Sequence, residues 1–494
     1  MMFKVEQFKV DMKQLRYTTV FILLFFAACS KQPDSFVESR RSATIHPGYT
    51  GTYIPYNIAP LNFEIKENAD QYRVRFVSSK DSFEIKRKGK TNIPLKKWKS
   101  LLEENKGENL YIKIFALKDG IWEKFEDMKF VIAEDAIDPY LAYRLIEPAY
   151  ELWNEIELYQ RCVENFEESL VFTNSFTERN CMNCHSFCNN DPETLFFHMR
   201  AAHSGTIFVK DGEVRKIDTK APGMMSFGVY PCWHPSGRYV AFSTNKIFQA
   251  FLTTHPNKVE VFDTESDIVI YDLEENKMFT NRLLQSTIQL ETFPEWSPDG
   301  RSLYFISAPT TLMPDNFESL HYNLMRVDFD PDTGKFGAKL DTIIDAHSMK
   351  KSVSLAKISP DGKNLVFCLM DFGQFPIWHK ENDLYMLNLE TGTITELTEL
   401  NSDDSDSYHS WSSNGRWMVF SSRRIDGSYT RLYISYFDKD GTWHKPFILP
   451  QKDPKYYDTL MKSYNLPECI TGKIKVSPYE LEKAAKGEAI KTGI

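Results

Sequence analysis

From Tyr53 to about Ala133 apolar and polar residues alternate in short runs, NFEIK, QYRVRFVS, FEIKRK, NLYIKIFAL and DMKFVIA, parted by turn residues such as Lys118-Asp119-Gly120. Period-two alternation of this length predicts half-buried strands, and five of them in succession predict a small antiparallel sandwich. One segment, LKKWKSLLEEN, breaks the alternation and predicts a helical turn region. Between Ile137 and Phe166 the period changes. Tyr143, Ile146, Tyr150, Trp153, Glu157 and Gln160 fall at helical spacing, with Pro139 and Pro148 near helix starts, so this stretch predicts a helical connector whose aromatics dock on a neighbouring domain.

The second half repeats itself. YPCWHPSGRYVAFSTN begins at Tyr230, FPEWSPDGRSLYFISA at Phe293, LAKISPDGKNLVFCLM at Leu355 and YHSWSSNGRWMVFSSRR at Tyr408. Aligning Trp233, Trp296, Ile358 and Trp411 gives spacings of 63, 62 and 53 residues, about one four-stranded sheet per repeat. In each copy an Asp-Gly, Asn-Gly or Ser-Gly pair turns one strand into the next. Such a sheet cannot bury both its faces alone, and stacked neighbours make a propeller. A degenerate fifth copy begins at CHSFCNNDPETLFFHM, with its apolar strand at Thr194 to Arg200; His185 lies 48 residues before Trp233, so the CxxCH stretch takes the Trp-Ser-Pro place of its blade. A sixth blade is not visible, although the stretch after Lys445 could complete or cap the ring.

The W-S-P-D-G turn followed by an apolar strand resembles the TolB-like, WD-type β-propeller repeats of bacterial envelope proteins, over about Cys184 to Pro450. That resemblance implies a six-bladed propeller. The N-terminal strands resemble an immunoglobulin or fibronectin type III module. The fold class expected is therefore mainly β, with a sandwich, a short helical connector and a C-terminal propeller. The divisions expected are a signal peptide at 1–28, a tether at 29–50, the sandwich at 51–134, the connector at 135–180, the propeller at 181–475 and a tail at 476–494.

Charge and composition narrow the partners. The chain has 494 residues with 59 basic and 68 acidic side chains, a net charge of -9 and no basic stripe, which excludes a polyanion binder; no nucleic-acid partner is expected. Lys13 and Arg16 precede an apolar run from Tyr17 to Ala28 that is too short for a membrane span and reads as a secretory signal. Phe26-Ala27-Ala28-Cys29 resembles a bacterial lipobox. This implies lipidation at Cys29, a membrane anchor, a cell-envelope location at the outer membrane and a protein partner there.

The candidate chemistry centres on Cys181-Met182-Asn183-Cys184-His185. Three readings stand. Two thioethers from Cys181 and Cys184 with His185 as proximal iron ligand would hold haem c. A Cys181–Cys184 or Cys184–Cys188 disulfide would leave His185 as a turn residue. Adding Cys188 gives a soft-metal cluster. With Cys29 set aside, seven cysteines remain, so a complete disulfide framework is excluded. Cys232 and Cys368 read as buried thiols. Haem would need a second axial ligand, for which His198 and Met224 are the candidates among His198, Met199, His203, Met224 and Met225; Trp153 and Tyr159 would shield it. Asp403, Asp404 and Asp406 read as a solvated loop rather than a calcium site. No G-x-S-x-G elbow is present, so the expectation is an electron carrier or haem-linked binding protein rather than an enzyme, the alternative being a scaffold for protein, peptide or glycan without haem.

Overall fold

The computed structural model describes residue 33 and residues 35–148 and 154–494. The expected signal peptide, Cys29 and Trp153 lie outside the described residues. The chain is mainly β.

Seven strands between Val37 and Ala133 form one sheet, and Ile45–His46, Phe63–Ile65 and Lys90–Thr91 form a second of three. Most pairings are antiparallel, as the alternation predicts, but Val37–Ser42 and Tyr53–Pro55 join the large sheet in parallel. The helix predicted in LKKWKSLLEEN spans Leu95–Glu104. Its buried residues Trp98, Leu101 and Leu102 are spaced as one helical stripe. The Trp98 indole N–H donates to the Ile58 carbonyl at 3.0 Å, so the largest side chain of the stripe is buried without an orphan donor. This core runs on without a break into Trp417, Leu432 and Tyr464 of the second half, so the N-terminal unit is cemented to the propeller rather than tethered to it.

Six sheets follow one another around an axis. The innermost strands are Met182–Phe187, Val229–Trp233, Gln289–Trp296, Ser352–Ile358, Asp406–Trp411 and Ser463–Ile470, numbered here blades 1 to 6. Each touches the next, and the last touches the first, so the ring is closed. Blade 6 is composite. Its inner strand comes from the C-terminal part of the chain, and its outer three, Tyr140–Ile146, Ile156–Cys162 and Glu168–Thr173, come from before blade 1.

Residues 140–173 are therefore not the expected helical connector. Tyr140–Ile146 is sandwiched inside a blade and buried at five consecutive positions, so its apolar residues do not alternate. A strand buried on both faces carries no period-two signal, and the apparent helical spacing runs across separate strands. The expected tail also folds. Ser477 caps a helix at Pro478–Lys486, in a box with Glu480, and Ile490–Lys491 pairs in parallel with Glu213–Asp218 at the edge of blade 1.

Neighbouring blades are latched at their turns. His234, in the turn of blade 2, donates from Nε2 to the Gly300 carbonyl of blade 3 at 2.9 Å, while its Nδ1 accepts from the Ser236 amide at 3.1 Å. Gly300 has φ +69°, and a Cβ there would sit 2.3 Å from His234 Nε2. Gly300→Ala therefore adds backbone strain and breaks the latch. It is expected to cost about 2–3 kcal/mol, read as a lower denaturant midpoint at unchanged slope. A midpoint equal to that of the parent chain would refute the latch.

Candidate functional site: the axial channel

The six inner strands enclose a cavity of about 470 Å³. Its wall is made by one device used six times. In every inner strand two residues stand opposite one on the next strand, a β-bulge. The first bulge residue is left-handed each time: Cys184 (φ 57°), Tyr230 (47°), Phe293 (49°), Leu355 (48°), Tyr408 (47°) and Leu466 (48°). Bulky side chains rarely adopt this region, and it persists only where the surroundings over-determine it. The gain is geometric. The bulge breaks strand alternation, so consecutive residues such as Tyr408, His409 and Ser410 all reach the cavity.

The bulge residues Tyr230, Phe293, Leu355 and Tyr408 are the opening letters of the four clear repeats. The repeat was legible, but its strain was not. The register also corrects blade 1: Phe187, not His185, takes the place of Trp233, because Ser186 and Phe187 pair with the second strand as Cys232 and Trp233 do.

The structure does bring Cys181, Cys184 and His185 to the channel wall. His185 is buried, and burial, reinforced by nearby Arg144, pushes its imidazole down to about 3, so it is neutral. Its Nε2 lies 3.6 Å from Glu468 Oε1. Burial also raises the Cys184 thiol. The proposed second ligands are not in the channel. His198 is shut inside blade 1, its Nδ1 3.1 Å from Thr206 Oγ1, and Met224 packs on the core between blades 1 and 2.

All seven described cysteines are unpaired, so neither expected disulfide forms. Among the described residues no three His, Cys, Asp or Glu side chains are grouped to hold a metal, which also removes the soft-metal cluster with Cys188. Cys188 is directed at the His234 carbonyl, 3.9 Å away. Cys232 and Cys368 are buried, as expected. In the acidic loop Asp406 is fully buried against Arg424 at 2.7 Å, and Asp404 lies 3.9 Å from Arg423; these two carboxylates are spoken for by arginines rather than solvated.

Charge is unevenly placed along the channel. Beyond the bulges, Lys357 Nζ donates to Glu295 Oε2 at 2.8 Å, and Glu468 accepts from the Phe187 amide at 3.3 Å. Burial pushes Glu468 up to about 8, with Lys357 pulling the other way. At the end where the inner strands begin stand Arg144 and Arg200, with Ile247, Gln249 and Val261 of a long hairpin from blade 2. Sequence reasoning missed both arginines and Glu468, because Arg144 and Glu468 belong to the composite blade and nothing local marks them.

No family model matches the chain. Among curated proteins, it is 26% identical over 177 residues to dipeptidyl-peptidase 5 of Porphyromonas gingivalis, which is 35% of this chain and 21% of that protein. The chain thus matches about a fifth of this relative's length. Among solved structures, prolyl oligopeptidase B from Galerina marginata is similar with a TM-score of 0.36 at 10% identity, covering 69% of this chain and 42% of that one. An oligogalacturonate lyase in complex with manganese has a TM-score of 0.33 at 14% identity, covering 63% of this chain and 86% of that one. Porphyromonas gingivalis dipeptidyl peptidase 4 has a TM-score of 0.30 at 10% identity, covering 71% and 58%. The sequence likeness to a dipeptidyl-peptidase overturns the expectation of haem-linked electron transfer or binding. It overturns equally the expectation of a non-enzymatic scaffold.

Proposed function

We propose that this chain works in peptide hydrolysis, its propeller supplying the channel that admits and holds the peptide. The observation that carries this is the likeness over 177 residues to a dipeptidyl-peptidase. The channel supports it. Its volume lies within the usual range of about 300–1,000 Å³ for small-ligand sites, enough for a short peptide and too small for a folded protein. Its wall mixes aromatic bulge residues with a few charged groups, the composition that holds a chain of mixed polarity.

The propeller's part is admission and holding of the peptide. The test is a panel of fluorogenic dipeptides and tripeptides given to the full chain, read both as hydrolysis and as equilibrium binding. Uptake with a dissociation constant below about 1 mM, or turnover, is the expected result. Neither binding nor turnover across the panel would sink the reading.

A further inference from the structure

Two arginines in the channel wall carry charge that the fold does not balance. Arg144, on the strand Tyr140–Ile146, is 9% exposed. Its Nη1 donates to the Met182 carbonyl at 3.2 Å and its Nη2 to Asn465 Oδ1, while the buried Nε has no acceptor. Arg200 lines the same cavity, and its guanidinium hydrogen-bonds the Tyr230 phenol.

The titratable groups that act most strongly on Arg144 are Cys184, Cys181, Tyr408 and Tyr230, none of them a carboxylate. Burial lowers the Arg144 guanidinium from its ordinary value.

An orphaned Nε is shared by Arg161, Arg423 and Arg431, so what sets Arg144 and Arg200 apart is their place in the cavity wall without a carboxylate. Arg423, on the same rim, has Asp404 at 3.9 Å. Arg161 and Arg431 face no cavity; the first donates to Gln451 Oε1 at 2.6 Å and to the Pro450 carbonyl, the second to the Leu460 and Lys462 carbonyls at 2.7 Å. Among the described residues neither Arg144 nor Arg200 has a carboxylate within the 4.0 Å of an ion pair. An unpaired buried cation costs several kcal/mol, and a guanidinium fork fits a carboxylate with two parallel hydrogen bonds.

We infer that Arg144 and Arg200 form a carboxylate-binding site in the channel wall, which holds a peptide by its carboxylate at the end where the inner strands begin. This rests on the peptide reading above. The carboxylate is either the peptide's own C-terminus or an acidic side chain. Beyond the bulges Lys357 is already paired with Glu295, so cations without a carboxylate partner stand at one end of the channel and set the peptide's direction.

The experiment compares three peptides on the full wild-type chain by calorimetry: trialanine as the free acid, trialanine amide, and an amide with one alanine replaced by glutamate. The free acid is expected to bind about ten- to hundredfold more tightly than trialanine amide. Recovery of that affinity by the glutamate peptide would assign the site to side-chain carboxylates as well, and no recovery would assign it to C-termini; both support a carboxylate site. Arg200→Gln is expected to lower free-acid affinity by a similar factor and leave the amide within about twofold. Arg144→Lys, which keeps the charge where full removal could unfold blade 6, is expected to give an intermediate loss. Equal binding of the free acid and both amides by the wild type would overturn the site while leaving the peptide reading standing. Binding of none of the three would overturn both.

Discussion

Truncation after Met461 is expected to give a chain with no cooperative unfolding transition. The removed strand, Ser463–Ile470, pairs along its length with Tyr140–Ile146 and closes the ring between blades 5 and 1. Tyr464, Cys469 and Ile470 are fully buried, and Tyr464 stacks edge-on against Tyr143 with ring centroids 4.9 Å apart. Three buried side chains at about 1.5–3 kcal/mol each amount to roughly 5–9 kcal/mol before any backbone pairing is counted. Whole domains are stable by about 5–15 kcal/mol, so the loss is on the scale of the whole. The exposed edge of Tyr140–Ile146 would also invite association. Circular dichroism on heating, with sedimentation to detect aggregates, reads the outcome. A truncated chain that melts cooperatively within a few degrees of the parent would show that blades 1 to 5 need no closure.

Stability is expected to fall as pH rises from about 6.5 to 9.5, with His379 contributing about 1.4 kcal/mol per pH unit over most of that range. His379 follows the turn Pro376–Trp378 of blade 4 and is fully buried. Its Nε2 lies 3.2 Å from Glu260 and its Nδ1 2.9 Å from Glu381. Glu260 belongs to the long hairpin of blade 2, Tyr239–Phe251 with Val259–Asp272, so the imidazolium pins that hairpin across to blade 4. Burial alone would push the imidazole down, but hydrogen bonds and charge from the two glutamates more than reverse it, raising it to about 9.

A group raised in the fold stabilises fully below its unfolded value, near 6.5 for histidine, and stops doing so as pH passes its folded value. The shift corresponds to about 3 kcal/mol. Burial also raises Asp263 to about 7 and Glu291 and Glu468 to about 8, which adds loss in the same direction at lower pH. Burial also raises the thiols of Cys184, Cys188, Cys232, Cys368 and Cys469, which adds loss from about pH 8.5 upward. His379→Gln should therefore make the slope between pH 7 and 8.5 shallower by about 1.4 kcal/mol per pH unit, as read by urea unfolding at half-unit steps. Stability that stays level from pH 7 to 9.5, or an unaltered slope in the variant, would refute the pin. Because Ile247, Gln249 and Val261 of this hairpin line the channel, the same titration should loosen the channel mouth.

The repeats and their turns were legible because each is a local event. A Ser-Pro-Asp-Gly turn closes on itself, with Gly300 donating to the Ser297 carbonyl at 2.8 Å and Ser297 Oγ bonding Asp299 at 2.6 Å, so four adjacent residues specify it. The helix at Leu95–Glu104 and the N-terminal alternation are local in the same sense. The composite blade was illegible because its strands are separated by nearly the whole propeller in sequence, and Tyr140–Ile146, buried on both faces, shows no alternation.

The CxxCH stretch shows the limit from the other side. Spacing alone suited haem, but the bulge at Cys184 turns it into one sixth of a channel wall, and of the residues that would have completed the iron site His198 is buried inside blade 1 and Met224 packs against another core. By itself the sequence determined the mainly β class, the repeat and the turns, because hydrogen bonds and alternation across a few residues are enough to specify them. Only the tertiary structure decided where the ring closes and which charges face the cavity. A buried arginine declares itself by the partner it lacks, and that absence exists only once distant strands have been brought together.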